Sequence, residues 1–294
     1  MTAPDLGLLL DVDGPIASPV TRSIAIPSIA DDLVALAAGG VPIAFITGRS
    51  DAFLRDVVIT PLLERGLAAA LAVEGASMFA VVEKGAAWAT VTSEGLGRVH
   101  VDATVALPDD VRDEMRRLVE RDFAATLFFD ETKRAMISVE QRTDLPREEY
   151  LGVQPVFQDA AFALLERHGI GIRYGDRESA DAAGHVPFRI DPTIISTDIE
   201  SILLDKDRGA ERALEYIERV RGGLPRTWRS VGDSRSDYLM ADQVHAVGLD
   251  VAHVDVRPAD GVLERPYPVL TEGELIHDEA GAAFLHRERE RLGL

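Results

Sequence analysis

Two aspartates one residue apart, Asp11 and Asp13, close the run Leu8-Leu9-Leu10-Asp11-Val12-Asp13-Gly14. An apolar run ending on two carboxylates and a glycine reads as a buried strand that delivers charge to its tip and then turns sharply. Two other segments have the same form. VPIAFITGRS ends in Thr47, Gly48 and Arg49, and WRSVGDSRSD ends in Gly232, Asp233 and Asp237. Lys206 opens a helical pattern, DKDRGAERALEYIERV. In open α/β sheets ligands bind outside the carboxyl ends of the strands. Placed side by side, these tips gather Asp11, Asp13, Asp233, Asp237, a hydroxyl and an ammonium on one rim.

Carboxylates crowded in this way repel one another and partly protonate unless a cation neutralises them. Oxygen-only ligation selects a hard ion, and Mg2+ suits a site with few carboxylates and several waters. Asp11, at the strand tip, is placed to attack as a nucleophile, since carboxylates form aspartyl-phosphate intermediates. Asp13 is placed to protonate a leaving oxygen and later deprotonate a water. Gly14 permits close approach of a phosphate, and Thr47 and Gly48 offer a hydroxyl and an unshielded N–H to its oxygens.

The elements that must position these groups alternate in the first part of the chain. LGLLLDVD and VPIAFITGRS read as fully buried strands, SIADDLVALAAGG and DAFLRDVVITPLLERG as helices, and LAAALAVEG as a third strand. Strands apolar on both faces belong to parallel sheets. After Gly75 the texture changes. SMFAVVEKGAAWATV reads as a hairpin turning at Lys84-Gly85, and helix, strand, strand then recurs twice, which suits an antiparallel sheet covered by helices on one face. The βα texture resumes at DKDRG. The expected fold class is therefore α/β: a Rossmann-like three-layer parallel-sheet core, residues 1–83 and 205–294, with an inserted α+β cap domain at 84–204.

Composition narrows the partners. The chain has 294 residues, 46% apolar and 28% charged, with a formal net charge of −19. That charge repels nucleic acid and anionic membrane, so neither is expected as a partner. No cysteine is present, which excludes disulfides, thiolate catalysis and Cys-ligated zinc. No uncharged run approaches the ~20 residues of a membrane span, and the first residues lack a signal peptide's basic region. The expected location is cytoplasmic. Walker-type GK[ST], GxSxG and HExxH motifs are absent, and the 7 histidines have no ligand spacing and read as structural or exposed.

The ordered set DVDG, TGR, a lysine after an insertion, and GDSRSD resembles the haloacid dehalogenase-like hydrolase superfamily. The position of the insertion, between the Thr and Lys motifs, resembles subfamily IIB, the Cof-type and sucrose- and trehalose-phosphate phosphatase-like group with the larger α+β cap. The resemblance implies that Asp11 is nucleophile and magnesium ligand, and that Asp13 is general acid/base and a ligand through its carbonyl. It implies that Thr47, Gly48, Gly14 and Arg49 face the phosphate, that Lys206 offsets charge on phosphate and Asp11, and that Asp233 binds metal. Asp237 either completes the metal set or supports Asp233 or Lys206. The spacing to Gly209 favours Lys206 over Arg208 for the cationic position. Ser236 stands where many relatives have Asn.

The expected function is a Mg2+-dependent phosphatase acting on a small phosphorylated metabolite, a sugar or polyol phosphate or a related organic acid phosphate, in a monomer or homodimer. Arg173, Arg177 and Arg189 are candidate anion contacts in the cap. The alternatives are sugar phosphomutase or phosphotransferase activity on the same core, or a non-catalytic sensor of phosphorylated metabolites.

Overall fold

The structure, a computed structural model, describes residues 4–294, which divide into two compact units, 101–204 and the remainder. In the first unit the chain runs β1 (Leu6–Leu10), α1 (Pro27–Ala38), β2 (Ile43–Ile46), α2 (Asp51–Leu54), α3 (Thr60–Glu64), α4 (Leu67–Ala70), β3 (Met78–Val82), β4 (Ala87–Thr92) and β5 (Gly95–Leu96). It leaves at β6 (His100–Val101). The insertion carries α5 (Asp109–Leu118), β7 (Leu127–Phe129), β8 (Ile137–Gln141), α6 (Arg147–Arg167), β9 (Ile172–Tyr174), β10 (Arg177–Ser179), β11 (Phe188–Pro192) and β12 (Ser196–Ser201). The chain returns with α7 (Lys206–Arg221), β13 (Thr227–Gly232), α8 (Tyr238–Ala246), β14 (Asp250–Asp255), β15 (Val269–Leu270) and α9 (His277–Leu292).

The first unit is built on one sheet of order β15-β14-β13-β1-β2-β3-β4-β5, with β6 alongside β4. Pairing is parallel from β15 to β3 and antiparallel from β3 to β5. β1 lies in the middle, and its residues divide between two cores. Leu6, Leu8 and Leu10 pack with Leu33 and Leu36 of α1 and Phe284 and Leu285 of α9. Leu9 packs on the other face with Ala213 and Ile217 of α7 and Met240 and Val244 of α8. Both faces are covered, so the strand reads as an unbroken apolar run. The result is the three-layer α/β fold expected from the sequence.

The insertion has its own antiparallel-rich sheet, ordered β10-β9-β11-β12-β8-β7. Ile137, Val139, Ile172, Ile190 and Ile199 of its strands join Val111 and Met115 of α5 and Phe157, Ala161 and Leu165 of α6 in a separate core. The strand residues alternate, apolar toward the helices and polar on the other face (Ser138, Arg189, Asp198, Glu200).

Two expectations are corrected. Residues 84–100, expected in the cap, belong to the first unit, where β4 and β5 extend the main sheet. The change in texture after Gly75 marks a reversal of strand direction at the sheet edge, not a change of unit. The LAAALAVEG segment contains a helix, Leu67–Ala70, and the third strand is Met78–Val82. Alanine's helix propensity outweighs the apolar run there. Among the described residues no helix is long and apolar enough to cross a membrane.

Candidate active site

The registers of β1, β2 and β13 bring their carboxyl ends level. Leu10 stands opposite both Phe45 and Val231, and the Asp11 N–H donates to Val231 O at 2.9 Å. The next residues along each strand are therefore Asp11, Ile46-Thr47 and Gly232-Asp233, side by side.

Lys206 enters from the first turn of α7, where Asp205 caps its N–H. Its ammonium is buried among three acceptors: Asp11 Oδ1 at 2.5 Å, Ile46 O at 2.8 Å and Asp237 Oδ1 at 2.8 Å. The reach depends on Gly209, since a Cβ there would stand 2.4 Å from Ile46 Cγ2. Any larger residue would push α7 off β2. Arg208, the other candidate cation, lies against Gly85.

Asp237 sits under the turn after β13. Its Oδ2 accepts from the N–H groups of Asp233 (3.0 Å) and Ser234 (2.9 Å) and from Ser234 Oγ (2.8 Å). Ser234 and Asp237 form a capping box on this turn. Beyond it, Tyr238 donates its hydroxyl to Asp255 at 2.6 Å and lies tilted against the ring of His253, whose Nδ1 meets Ser230 Oγ at 2.8 Å.

Asp11, Asp233 and Asp237 each present a carboxylate oxygen within 4.8 Å of the others. Burial and the neighbouring charge of Asp237 raise the pKa of Asp11 well above the usual carboxylate value, against the pull of Lys206. Burial, again with Asp237, pushes Asp233 up to about 6. Asp237 goes the other way: burial opposes its ionisation, but Lys206 and the Ser234 hydrogen bonds hold its pKa low. Burial pulls Lys206 down, and Asp11 and Asp237 more than offset this, so it stays charged. One ammonium among three carboxylates leaves a deficit of positive charge.

Asp13 points elsewhere. Its carboxylate is gripped by Arg49, with Nε at 3.0 Å from Oδ2 and Nη2 at 2.9 Å from Oδ1, and the guanidinium lies 4.9 Å over the Phe53 ring. Gly14 has a φ of +96°, and a Cβ there would meet Asp233 Oδ2 at 2.6 Å. Glycine is thus required twice over, by backbone conformation and by the carboxylate against it. Thr47 Oγ1 accepts the Arg49 N–H at 3.0 Å, and the N–H of Lys84 donates to Thr47 O, so the hairpin after β3 braces this loop.

The structure thus brings Asp11, Asp233, Asp237 and Lys206 into one cluster, with Gly14 against it and Asp13 held by Arg49 at its side. Asp237 stands in this cluster with its Oδ2 tied to the β13 turn and its Oδ1 2.8 Å from the Lys206 ammonium. His277, which sequence reading left among the structural histidines, has its Nδ1 3.5 Å from Asp233 Oδ2. No spacing signal marks it, because it comes from a helix far along the chain.

No known family profile matches the chain, and no curated protein sequence matches it. Solved structures do. The C-terminal domain of C. albicans trehalose-6-phosphate phosphatase superposes with a TM-score of 0.59 at 12% identity, covering 97% of this chain and 93% of that one. Trehalose-6-phosphate phosphatase from Aspergillus fumigatus gives 0.51 at 15% identity over 97% and 93%. A haloacid dehalogenase-like hydrolase from Bacteroides thetaiotaomicron gives 0.55 at 13% identity over 96% and 98%. At these identities the likeness is one of fold. The chain has the haloacid dehalogenase-like fold, with an α+β insertion between its Thr and Lys segments.

Proposed function

We propose that this protein is a Mg2+-dependent phosphatase that hydrolyses a small phosphorylated metabolite through an aspartyl-phosphate on Asp11. The observation that carries the reading is the Asp11 carboxylate, buried at a strand tip, bonded to Lys206 and within reach of Asp233. The fold likeness to phosphatases supports it.

The donor set fits magnesium. Asp11 and Asp233 offer oxygen ligands, and their raised pKa values are the mark of carboxylates lacking counter-charge. The ion would be held by Asp11, Asp233 and the Asp13 carbonyl, with Asp237 anchoring Lys206 and the turn. When bound, it supplies Lewis-acid charge for phosphoryl oxygens.

The chain's own groups account for the rest. An oxygen of Asp11 attacks phosphorus while the ester P–O bond breaks, and Asp13 gives its proton to the departing alkoxide. A water then attacks the same phosphorus and loses a proton to Asp13. The phosphorus–Asp11 bond breaks, releasing inorganic phosphate and restoring the carboxylate. Lys206, the Thr47 hydroxyl and the Gly48 N–H face the negative oxygens throughout. Arg49, which holds both Asp13 carboxylate oxygens in the structure, must release one of them for these transfers.

The test is release of phosphate from a generic aryl phosphate and from a panel of sugar, polyol and organic acid phosphates, with Mg2+ and with EDTA. Turnover that requires Mg2+ is expected. A requirement for a sugar bisphosphate would instead identify a phosphomutase, and absence of turnover across the panel would identify a sensor.

A further inference from the structure

His277 opens α9 with a left-handed backbone, φ +49°, and its N–H donates to Val256 O at 2.7 Å. Only a few per cent of non-glycine residues adopt this conformation, and such strain gathers where the surrounding structure demands a particular side-chain direction. The direction here is toward the site. His277 Nδ1 is buried, has no hydrogen-bond partner among the described residues, and stands 3.5 Å from Asp233 Oδ2. The helix behind it packs tight on the first loop, an approach only glycine allows: a Cβ on Gly281 would stand 1.9 Å from Pro15 O. On its other side Asp233 Oδ2 abuts Gly14. The carboxylate is therefore walled between the Gly14 backbone and an imidazole fixed by a strained residue.

We infer that His277 is a positioning residue: it donates from Nδ1 to Asp233 Oδ2 and holds that carboxylate in the orientation that binds the divalent ion. This rests on the metal reading above. At 3.5 Å the pair falls short of a hydrogen bond, and a shift of a few tenths of an ångström makes it one. The role is that of the outer partners of metal ligands, which fix ligand orientation without touching the ion.

The test separates side chain from backbone. His277→Gly keeps the left-handed conformation and removes the donor. His277→Asn also tolerates that conformation and restores an amide donor near the Nδ1 position. Mg2+ binding to the full chain is measured by calorimetry without substrate, beside melting temperature and the Mg2+ dependence of aryl phosphate hydrolysis. The glycine variant is expected to bind Mg2+ about 10- to 100-fold more weakly, the loss typical of an outer-partner mutation, with kcat largely recovered at saturating Mg2+. The asparagine variant is expected to bind within a few-fold of the parent, which a merely structural role would not produce. His277→Ala serves as a second truncation. A glycine variant that binds Mg2+ as tightly as the parent, or an asparagine variant as weak as glycine, overturns the inference while leaving the metal site standing. A parent protein that binds no Mg2+, or binds it equally after Asp233→Asn, overturns the metal reading itself and the inference with it.

Discussion

Asp11 and Asp237 share one ammonium, yet their environments push them in opposite directions. Asp237 is surrounded by donors, with two N–H groups, a serine hydroxyl and Lys206 all aimed at it. Among the described residues Asp11 has only Lys206 as a side-chain donor, and it carries the cost of burial, so its charge is poorly compensated. The difference teaches how a site divides labour between chemically identical groups. The loop after β13 spends its acid on architecture, and the loop after β1 leaves its acid under-solvated, in the place the proposed attack on phosphorus requires.

The sharpest way to break this comparison is to neutralise each acid in turn. Asp11→Asn is expected to abolish turnover while leaving the melting temperature unchanged or raised, since it removes a poorly compensated buried charge and leaves Lys206 paired with Asp237. Residual phosphatase activity in a clean preparation, or a lower melting temperature, counts against it. Asp13→Asn removes the proton donor and acceptor, and kcat is expected to fall by about 10²- to 10⁴-fold, read in steady-state kinetics at saturating Mg2+. Asp237→Asn breaks the buried pair with Lys206 and weakens the β13 turn, and a loss of roughly 3–5 kcal/mol in unfolding free energy is expected from broken buried pairs. Urea denaturation reads it. If Asp237→Asn unfolds like the parent, the division between architectural and reactive acid is wrong.

The scaffold side can be sharpened with pH. Burial drops the pKa of His253, against Tyr238, to about 4. The folded protein therefore keeps this ring neutral while the unfolded chain protonates near 6.5. Its contribution is fully present above that value and is lost as pH falls toward 4, amounting to roughly 3 kcal/mol at most. His253→Gln is expected to flatten the decline in unfolding free energy across pH 6.5 to 4. An unchanged slope would show that His253 is not responsible. The smallest effect expected is that of Gly14→Ala, a loss of about 1–3 kcal/mol from the φ strain and the contact with Asp233, measured as a drop in melting temperature.

What the sequence disclosed followed from groups whose signal is local. Asp11 and Asp13 stand out because acids end an apolar strand, and Asp233 and Asp237 because a strand runs into Gly-Asp. Their meeting follows from the rule that such tips share one sheet edge. Three features were hidden because their cause is tertiary. The edge strands within residues 84–100 look like the insertion because antiparallel texture is the same wherever it occurs. Arg49 gripping Asp13 is a contact across 36 positions that no spacing encodes. His277 is set by the packing of α9 on the Asp13–Pro15 loop, and only its place at the start of a helix, with Gly281 four residues on, hints at it.

The central position of β1 has a consequence for how the molecule comes into being. Its partner on one side, β13, is more than two hundred residues away along the chain. Until Thr227–Gly232 has been synthesised, one edge of this fully buried strand has no native neighbour, and long-range pairing of this kind is slow and exposed to aggregation. Ribosome-stalled chains ending before residue 227 should be captured by chaperones and readily degraded by protease, and chains extended past α9 should resist both.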